Sequence, residues 1–484
     1  MKSIMRNLLC QVLALLSFGS LALTQETILG AFIFHRHGDR TSKSWPPARL
    51  TDLGATEVYE SGTFYRNRYI NGSSPINGIQ KDIAKLSQLN IQAPVDIALQ
   101  PSAIAWLQGL YPPVGTALGT QTLRNGTKVE APLDGYQLIP VNLVTSPVST
   151  STNTENSVWL QGSSGCANAI TSSNNYFLSQ DYLNTKARTD AFYQGIYPVI
   201  NGSFTSAYTS YKNAYAVYDL IHVATINNAT INSSNLLTPD TLFQLQTLAN
   251  KHEFNLAYNS SDPIRAIAGS TLAAQILQQL NVTLTSQSAP RLSVQFGTYA
   301  AALSFFGLTQ LPSVSENFTG IEDYASSMAF ELITTSPVSS NSSPSPDDVS
   351  VRFTFSNGSA AEYGLTAYPL FGLGQTVLPW KTFAENMGKI AIGDGATWCQ
   401  ACGNTTGTCA NLTGTISSSN SNSTPSSSGS GISTAVGGVI GAMVTLAVVL
   451  GLEALILFVG GLRIVNKKRV ATSVGSQSLN SEKA

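Results

Sequence analysis

Phe34 to Thr41 read FHRHGDRT, which places two histidines, two arginines and an aspartate directly behind an apolar run. Two guanidiniums flanking a histidine are what a phosphoryl group needs. Arg36 and Arg40 can fork onto its oxygens through charge-assisted bonds, each contributing about 1.5–3 kcal/mol. His37, between them, can attack phosphorus through a neutral ring nitrogen and carry the group as a phosphohistidine. Gly38 has no side chain to keep a ligand from the backbone. The same Arg36, Asp39 and Arg40 would also make a purely structural ion-pair cluster in a loop.

The elements that must hold this cluster are legible around it. Ile28 to Phe34 form a short buried strand by their unbroken apolar run, and the charged residues fall in the loop that follows. LTDLGATEVYESGTFYRNRYI has helical spacing, with Thr51 and Asp52 as caps. Leu292 to Phe296 read as a second strand leading into a small-residue helix, YAAALSFFGL. TLFQLQTLANKHEFNLAY and IRAIAGSTLAAQILQQL are helical, and a strand pair is expected around VRFTFSNGSAAEYG. Tyr208, Tyr211, Tyr215 and Tyr218 share a helical face, expected to be half-buried packing, with a stacking platform as the alternative. Strands alternating with helices predict an α/β fold with a parallel-sheet core and a helical insertion, or cap, domain. In such sheets the chemistry sits at the carboxyl ends of the strands, where FHRHGDRT and VQFGTYAA could face one another.

FIFHRHGDRTSKSWPPARLTDLG resembles the signature of the histidine acid phosphatases, the acid phosphatase and phytase branch of the histidine phosphatase superfamily. That signature is Arg-His-Gly-x-Arg-x-Pro followed by Leu-Thr-x-x-Gly. Arg36, His37, Gly38, Arg40, Leu50, Thr51 and Gly54 match it, and Ser42 stands where proline is usual. The resemblance spans about residues 26 to 395. It implies a phosphoglycerate mutase-like fold with a helical cap, a nucleophile at His37, phosphate held by Arg36 and Arg40, and no cofactor or metal. It also exposes two departures. The family's third arginine falls at Ala98 or a neighbour, counting back from Pro112 and Pro113, and no arginine or lysine lies between Lys85 and Arg124. The family's His-Asp pair, which grips phosphate and protonates the leaving oxygen, falls on Gln295, Phe296 and Gly297; neither residue type occurs between Arg291 and Leu311.

A missing general acid costs about 10²–10⁴ in rate. The expected protein is therefore a phosphatase relative with weak or no phosphomonoesterase activity that binds phosphate or a small phosphorylated ligand. One alternative is an active acid phosphatase in which Glu253, Glu316, Glu322 or Asp323 supplies the proton. The other is a structural or adhesive surface glycoprotein. His222 and His252 are expected at the surface or core edge of the insertion rather than as replacements.

The remaining composition concerns address and partners. Net charge is -1 and 11% of residues are charged, which gives no basic footprint for nucleic acid. Residues 1–23 read as a signal peptide, 24–403 as the ectodomain, 404–431 as a Ser/Thr/Asn-rich stalk, 432–462 as a transmembrane helix and 463–484 as a cytoplasmic tail. The apolar Ala435–Gly461 run is followed by Arg463, Lys467, Lys468 and Arg469, so a single-pass type I topology is expected, most naturally in the plasma membrane. Gly437, Gly441 and Glu453 leave pairing of this helix into a homodimer open. Cys166, Cys399, Cys402 and Cys409 predict two disulfides in one of three connectivities, since no histidine near CQAC offers a metal a further ligand. Asn-x-Ser/Thr triplets from Asn71 to Asn422 predict glycosylation.

Overall fold

A computed structural model describes residues 26–144, 165–227, 235–338, 344–407 and 409–410. The expected signal peptide, transmembrane helix, cytoplasmic tail and most of the stalk lie outside the described residues. Among the described residues no helix is long and apolar enough to cross a membrane.

The first strand, β1 (Thr27–Arg36), is buried along nearly its whole length, as an unbroken apolar run requires. It lies in the middle of an eight-stranded sheet with β2 (Leu89–Ala93), β3 (Asn142–Leu143), β4 (Leu292–Gly297), β5 (Ser327–Thr334), β6 (Val349–Ser356), β7 (Thr366–Ala367) and β8 (Val377–Pro379). The order is β8-β6-β5-β1-β4-β2-β3, with β7 beside β6. β4 runs parallel to β1 and places Gly297 opposite Arg36, and β2 and β3 continue the parallel half. β5 runs antiparallel to β1, and β6, β7 and β8 extend that half. The sheet is thus mixed, where the sequence predicts a parallel one. The expected strand pair around VRFTFS resolves into one long strand and the two-residue β7 against it.

Helices cover both faces. Ala31 and Ile33 pack on one side against α1 (Asp52–Tyr69) and α2 (Leu99–Leu110), through Val58, Tyr65, Leu99 and Trp106. Phe32 and Phe34 point the other way, into a core shared with later helices. Thr51 caps α1 as expected, its hydroxyl accepting the Gly54 amide at 3.1 Å. The helical layer is α3 (Ala167–Asn175), α4 (Gln180–Ile200), α5 (Ala214–Asn227) and α6 (Pro239–Ala257), closed on its own core of Tyr193, Ile196, Leu220 and Leu245. α7 (Ile267–Thr285), α8 (Tyr299–Leu308) and α9 (Trp380–Ile390) bring Leu272, Phe305 and Phe383 onto the Phe32 face.

The short α10 (Gly395–Cys402) ends the described fold, tied down by Cys166–Cys402 and Cys399–Cys409. Of the three connectivities the cysteines allowed, this one fastens α10 to the start of the helical layer. Its sulfurs pack with Ala169, Ile267 and Trp398.

Candidate active site

β1 delivers FHRHGDRT to the carboxyl edge of the parallel half of the sheet. Two glycines allow the loop to turn there: a Cβ on Gly38 would lie 2.1 Å from the Gly54 carbonyl, and one on Gly54 would lie 2.1 Å from that of Asp39. The loop and the first turn of α1 therefore touch backbone to backbone. A second clamp comes from the segment entering β5, where Ala325 donates its amide to the His37 carbonyl at 2.9 Å and Arg36 donates its own to Ser326 at 2.8 Å. Ala325 holds a left-handed φ of 56° to do so, while fully buried. A non-glycine residue in that region stores strain and marks a place the surroundings over-determine.

The two histidines of the cluster do different things. His35 faces α1, its Nδ1–H donating to the Arg36 carbonyl at 2.6 Å and its Nε2 accepting from Ser61 at 2.8 Å. Burial pushes it down to about 4, so it is a neutral core residue. His37 donates Nδ1–H to the Gly38 carbonyl at 2.8 Å. Burial first, then the Arg36 and Arg40 guanidiniums, hold it well below the ordinary histidine range. A neutral ring with Nδ1 protonated leaves the lone pair on Nε2, the form a nucleophile needs.

The Arg36 guanidinium lies between aromatic faces, 4.7 Å from the Tyr324 centroid and 5.7 Å from that of Tyr299, and donates to the Glu322 carbonyl. Arg40 lies under α5 and bonds Asp219 at 2.9 Å and the Tyr215 hydroxyl at 3.0 Å. The Nε of each arginine is buried and has no hydrogen-bond partner among the described residues. Buried donors without acceptors are rare enough to ask for a ligand. Beside Arg36 lies a cavity of about 90 Å³ lined by Tyr218, His222, Glu322, Asp323 and Tyr324 among others.

The positions that the resemblance gives to the third arginine and the His-Asp pair hold small or apolar residues, apart from Gln295, whose buried amide has no hydrogen-bond partner among the described residues. Ala98 is buried at the start of α2, and Ser102, one turn on, accepts the Gly38 amide at 3.3 Å. Phe296 stacks 5.0 Å from His35, inside the core. At Gly297 a Cβ would meet the Phe34 ring at 2.3 Å, so that ring fills the room a side chain would need.

Of the acids proposed from sequence, Glu322 and Asp323 reach the cavity. Glu253 is engaged with His252 and Tyr299, and Glu316 lies on an exposed turn. His252 is buried in the helical layer among Phe177 and Tyr211. His222 is half-buried, at the core edge as expected, and it also lines the cavity, stacked 5.0 Å from Tyr218. The tyrosine stripe divides. Tyr208 is exposed and Tyr211 is core, while Tyr215 and Tyr218 face the site. No group of three or more His, Cys, Asp or Glu residues able to hold a metal occurs among the described residues.

The site's titrating groups oppose one another in their effect on stability. His35 and His37 stay neutral in the fold, so the unfolded chain binds more protons below about pH 6.5 and stability falls with acidification. His35 alone contributes a loss on the order of 3 kcal/mol by pH 4. Glu322, which burial pushes up to about 7 against the pull of Arg36, does the reverse. The folded chain binds the extra proton between about pH 7 and 4.5, so stability rises as pH falls through that window. Glu57, which burial also pushes up to about 7, acts in the same sense, so the wild-type urea midpoint should fall less from pH 7.5 to 5 than the two histidines alone would require. Glu322→Gln should start higher at pH 7.5 and fall steadily; parallel curves for the two chains would refute the assignment.

The mixed sheet between helical layers, with a histidine and two arginines at the end of its central strand, defines a phosphoglycerate mutase-like architecture. Solved structures with this fold are similar to the chain over most of its length. They include the phytase from Citrobacter braakii (12% identity, TM-score 0.51, covering 78% of this chain and 99% of that one). The Klebsiella sp. ASR1 phytase is 9% identical, with a TM-score of 0.52 over 77% of this chain and 99% of that one. The Hafnia alvei phytase in complex with tartrate is 14% identical, with a TM-score of 0.50 over 78% and 98%. The model of the histidine phosphatase superfamily, branch 2, matches residues 43–356, and the chain belongs to that family. No curated protein matches it.

Proposed function

We propose that the chain binds a small phosphorylated molecule between Arg36, His37 and Arg40 and hydrolyses alkyl phosphate monoesters weakly or not at all. The observation that carries this reading is the pair of buried, unpartnered Nε–H donors of Arg36 and Arg40 on either side of a neutral His37. Ala98, Phe296 and Gly297 support the second half, since none of them offers a proton donor; a third cation is present, but it is the Lys43 ammonium, 5.8 and 6.0 Å over the Tyr215 and Tyr299 rings. Inorganic phosphate or vanadate titrated into the purified chain should bind saturably. Arg36→Ala should weaken that binding about 10–100-fold, the worth of one charge-assisted contact. Binding unchanged in Arg36→Ala would dispose of the reading.

One observation favours a second reading, an active acid phosphatase. Glu322 lines the same cavity and, held up to about 7, carries a proton under mildly acidic conditions. The dependence on leaving group taken up in the Discussion separates the two.

We further propose an address outside the cytosol, on a glycosylated, membrane-anchored chain. Two disulfides support it, as do exposed acceptor asparagines at Asn71, Asn125, Asn201, Asn281 and Asn317. The apolar run Ala435–Gly461 with basic residues after it supports the anchor.

A further inference from the structure

Arg40 already holds an anion, and the chain itself supplies it. The Asp219 carboxylate comes down from α5 with Oδ1 2.9 Å from Arg40 Nη2. Its Oδ2 accepts from the Ser42 hydroxyl at 2.8 Å and from the Lys43 backbone amide at 2.9 Å. A guanidinium, a hydroxyl and a backbone N–H thus converge on the two oxygens of one buried carboxylate, the donor set that also suits two oxygens of a phosphoryl group. Arg40 is 1% exposed and Asp219 3%. Burial alone would push the Asp219 carboxyl up, but Arg40 and the Ser42 and Lys43 donors outweigh it and hold the group below the ordinary range, so it is charged. One of those donors exists only because position 42 is serine; a proline there would have no hydroxyl to give.

The rest of α5 keeps Asp219 in place. Two turns further on, Asn227 donates to Asp39 Oδ2 at 2.9 Å, so the helix is fastened to the FHRHGDRT loop near its middle and at its end. Between them, His222 faces the cavity beside Arg36. A phosphoryl group reaching Arg40 must therefore meet a fixed negative charge across van der Waals distance.

We propose that Asp219 is a built-in opponent, a carboxylate seated on Arg40 Nη2, Ser42 and the Lys43 amide, whose charge weakens the hold of a phosphorylated ligand on the Nε–H that Arg40 keeps free. This rests on the reading of Arg36, His37 and Arg40 as a phosphate site and adds that the fold places a like charge beside it. α5 then sets how tightly phosphate is held. Movement of this one helix away from the loop would raise affinity without any change in the residues that touch the ligand.

The test is inorganic phosphate binding to the full chain by calorimetry, in wild type, Asp219→Asn, Arg36→Ala and the double variant. Asp219→Asn should bind phosphate on the order of 10–100-fold more tightly, because a like charge beside the ligand has gone. The double variant should lose that gain. Equal or weaker binding by Asp219→Asn, with wild-type binding still sensitive to Arg36→Ala, would overturn the opponent and leave the phosphate site standing. No binding by either chain would overturn both. Should Asp219→Asn fold poorly because Arg40 has lost its partner, the melting temperature with and without phosphate gives the same answer. The rise on adding phosphate should be larger in the variant than in wild type, and an equal or smaller rise overturns the proposal.

Discussion

An aryl phosphate with a nitrophenolate leaving group is expected to be hydrolysed about 10²–10⁴-fold faster than an alkyl phosphate, with His37→Ala abolishing turnover of both. The phosphohistidine step breaks the bond from phosphorus to the ester oxygen. A nitrophenolate leaves as a stable anion, whereas an alkoxide must take a proton as it goes. On the proposed reading Arg36, His37 and Arg40 grip and attack, while Phe296 and Gly297, in the positions the resemblance gives to the His-Asp pair, bring no proton donor to the departing oxygen. Restoring a carboxylate at Gly297 alone should fail. Its Cβ would enter the Phe34 ring, and overpacking of that kind costs about 1–3 kcal/mol. Comparable rates for the two esters, with Glu322→Gln slowing only the alkyl one, would instead identify Glu322 as a working acid.

The second large effect concerns the fold. Glu331→Ala should lower stability by about 3 kcal/mol, measured as a shift in the urea midpoint. Glu331 lies on β5, fully buried, and its Oε1 accepts from Arg68 Nε at 2.6 Å and from the Tyr69 hydroxyl at 2.8 Å. Its Oε2 accepts from Arg352 Nε at 2.7 Å, and Arg352 forks onto Glu26 at 3.0 and 2.8 Å. One carboxylate thus joins α1, β5, β6 and the residue just before β1. Removing it strands the Arg68 guanidinium and leaves Arg352 with Glu26 alone. The loss falls at the low end for a broken buried pair, because Arg68 and Arg352 keep 29% and 20% exposure and can turn partly to water. A shift of a few tenths would mean that water already does most of the work.

How much of this was legible beforehand follows from the range of the interactions. β1, β4 and the capped α1 declare themselves through local patterns: an apolar run, a second run, and Thr51 placed to accept from Gly54. Arg36, His37 and Arg40 came with them because the loop is contiguous. The departures at Ala98, Phe296 and Gly297 are expectations of the same local kind, since each is counted from a nearby motif. Asp219 and His222 were out of reach as site residues, and Glu322 was within reach only as one of four candidate acids. Asp219 and His222 are spaced as ordinary helix residues, and nothing in helical periodicity says which face meets a loop 180 residues earlier. Glu322 precedes a strand. The expectation that chemistry gathers behind strands holds for parallel neighbours, whereas an antiparallel neighbour such as β5 offers its entrance to the same edge. Assuming a parallel sheet therefore hid the segment that carries Tyr324 and the left-handed Ala325. The cysteine pairing was invisible for a simpler reason: it depends on where α10 comes to rest.

That resting place has a temporal side. Cys166 and Cys402 are separated by 236 residues, so at about 5–20 residues per second the first thiol emerges roughly 10–50 s before its proper mate. During that wait Cys10 is the only other sulfhydryl already made, and Cys166 is open to any mixed-disulfide donor. When the mate arrives, Cys399 and Cys409 arrive within about two seconds of it as rival suitors. Correct closure is then a contest settled at the very end of synthesis, and the yield of native chains should depend on the supply of disulfide isomerase more than on the supply of oxidant.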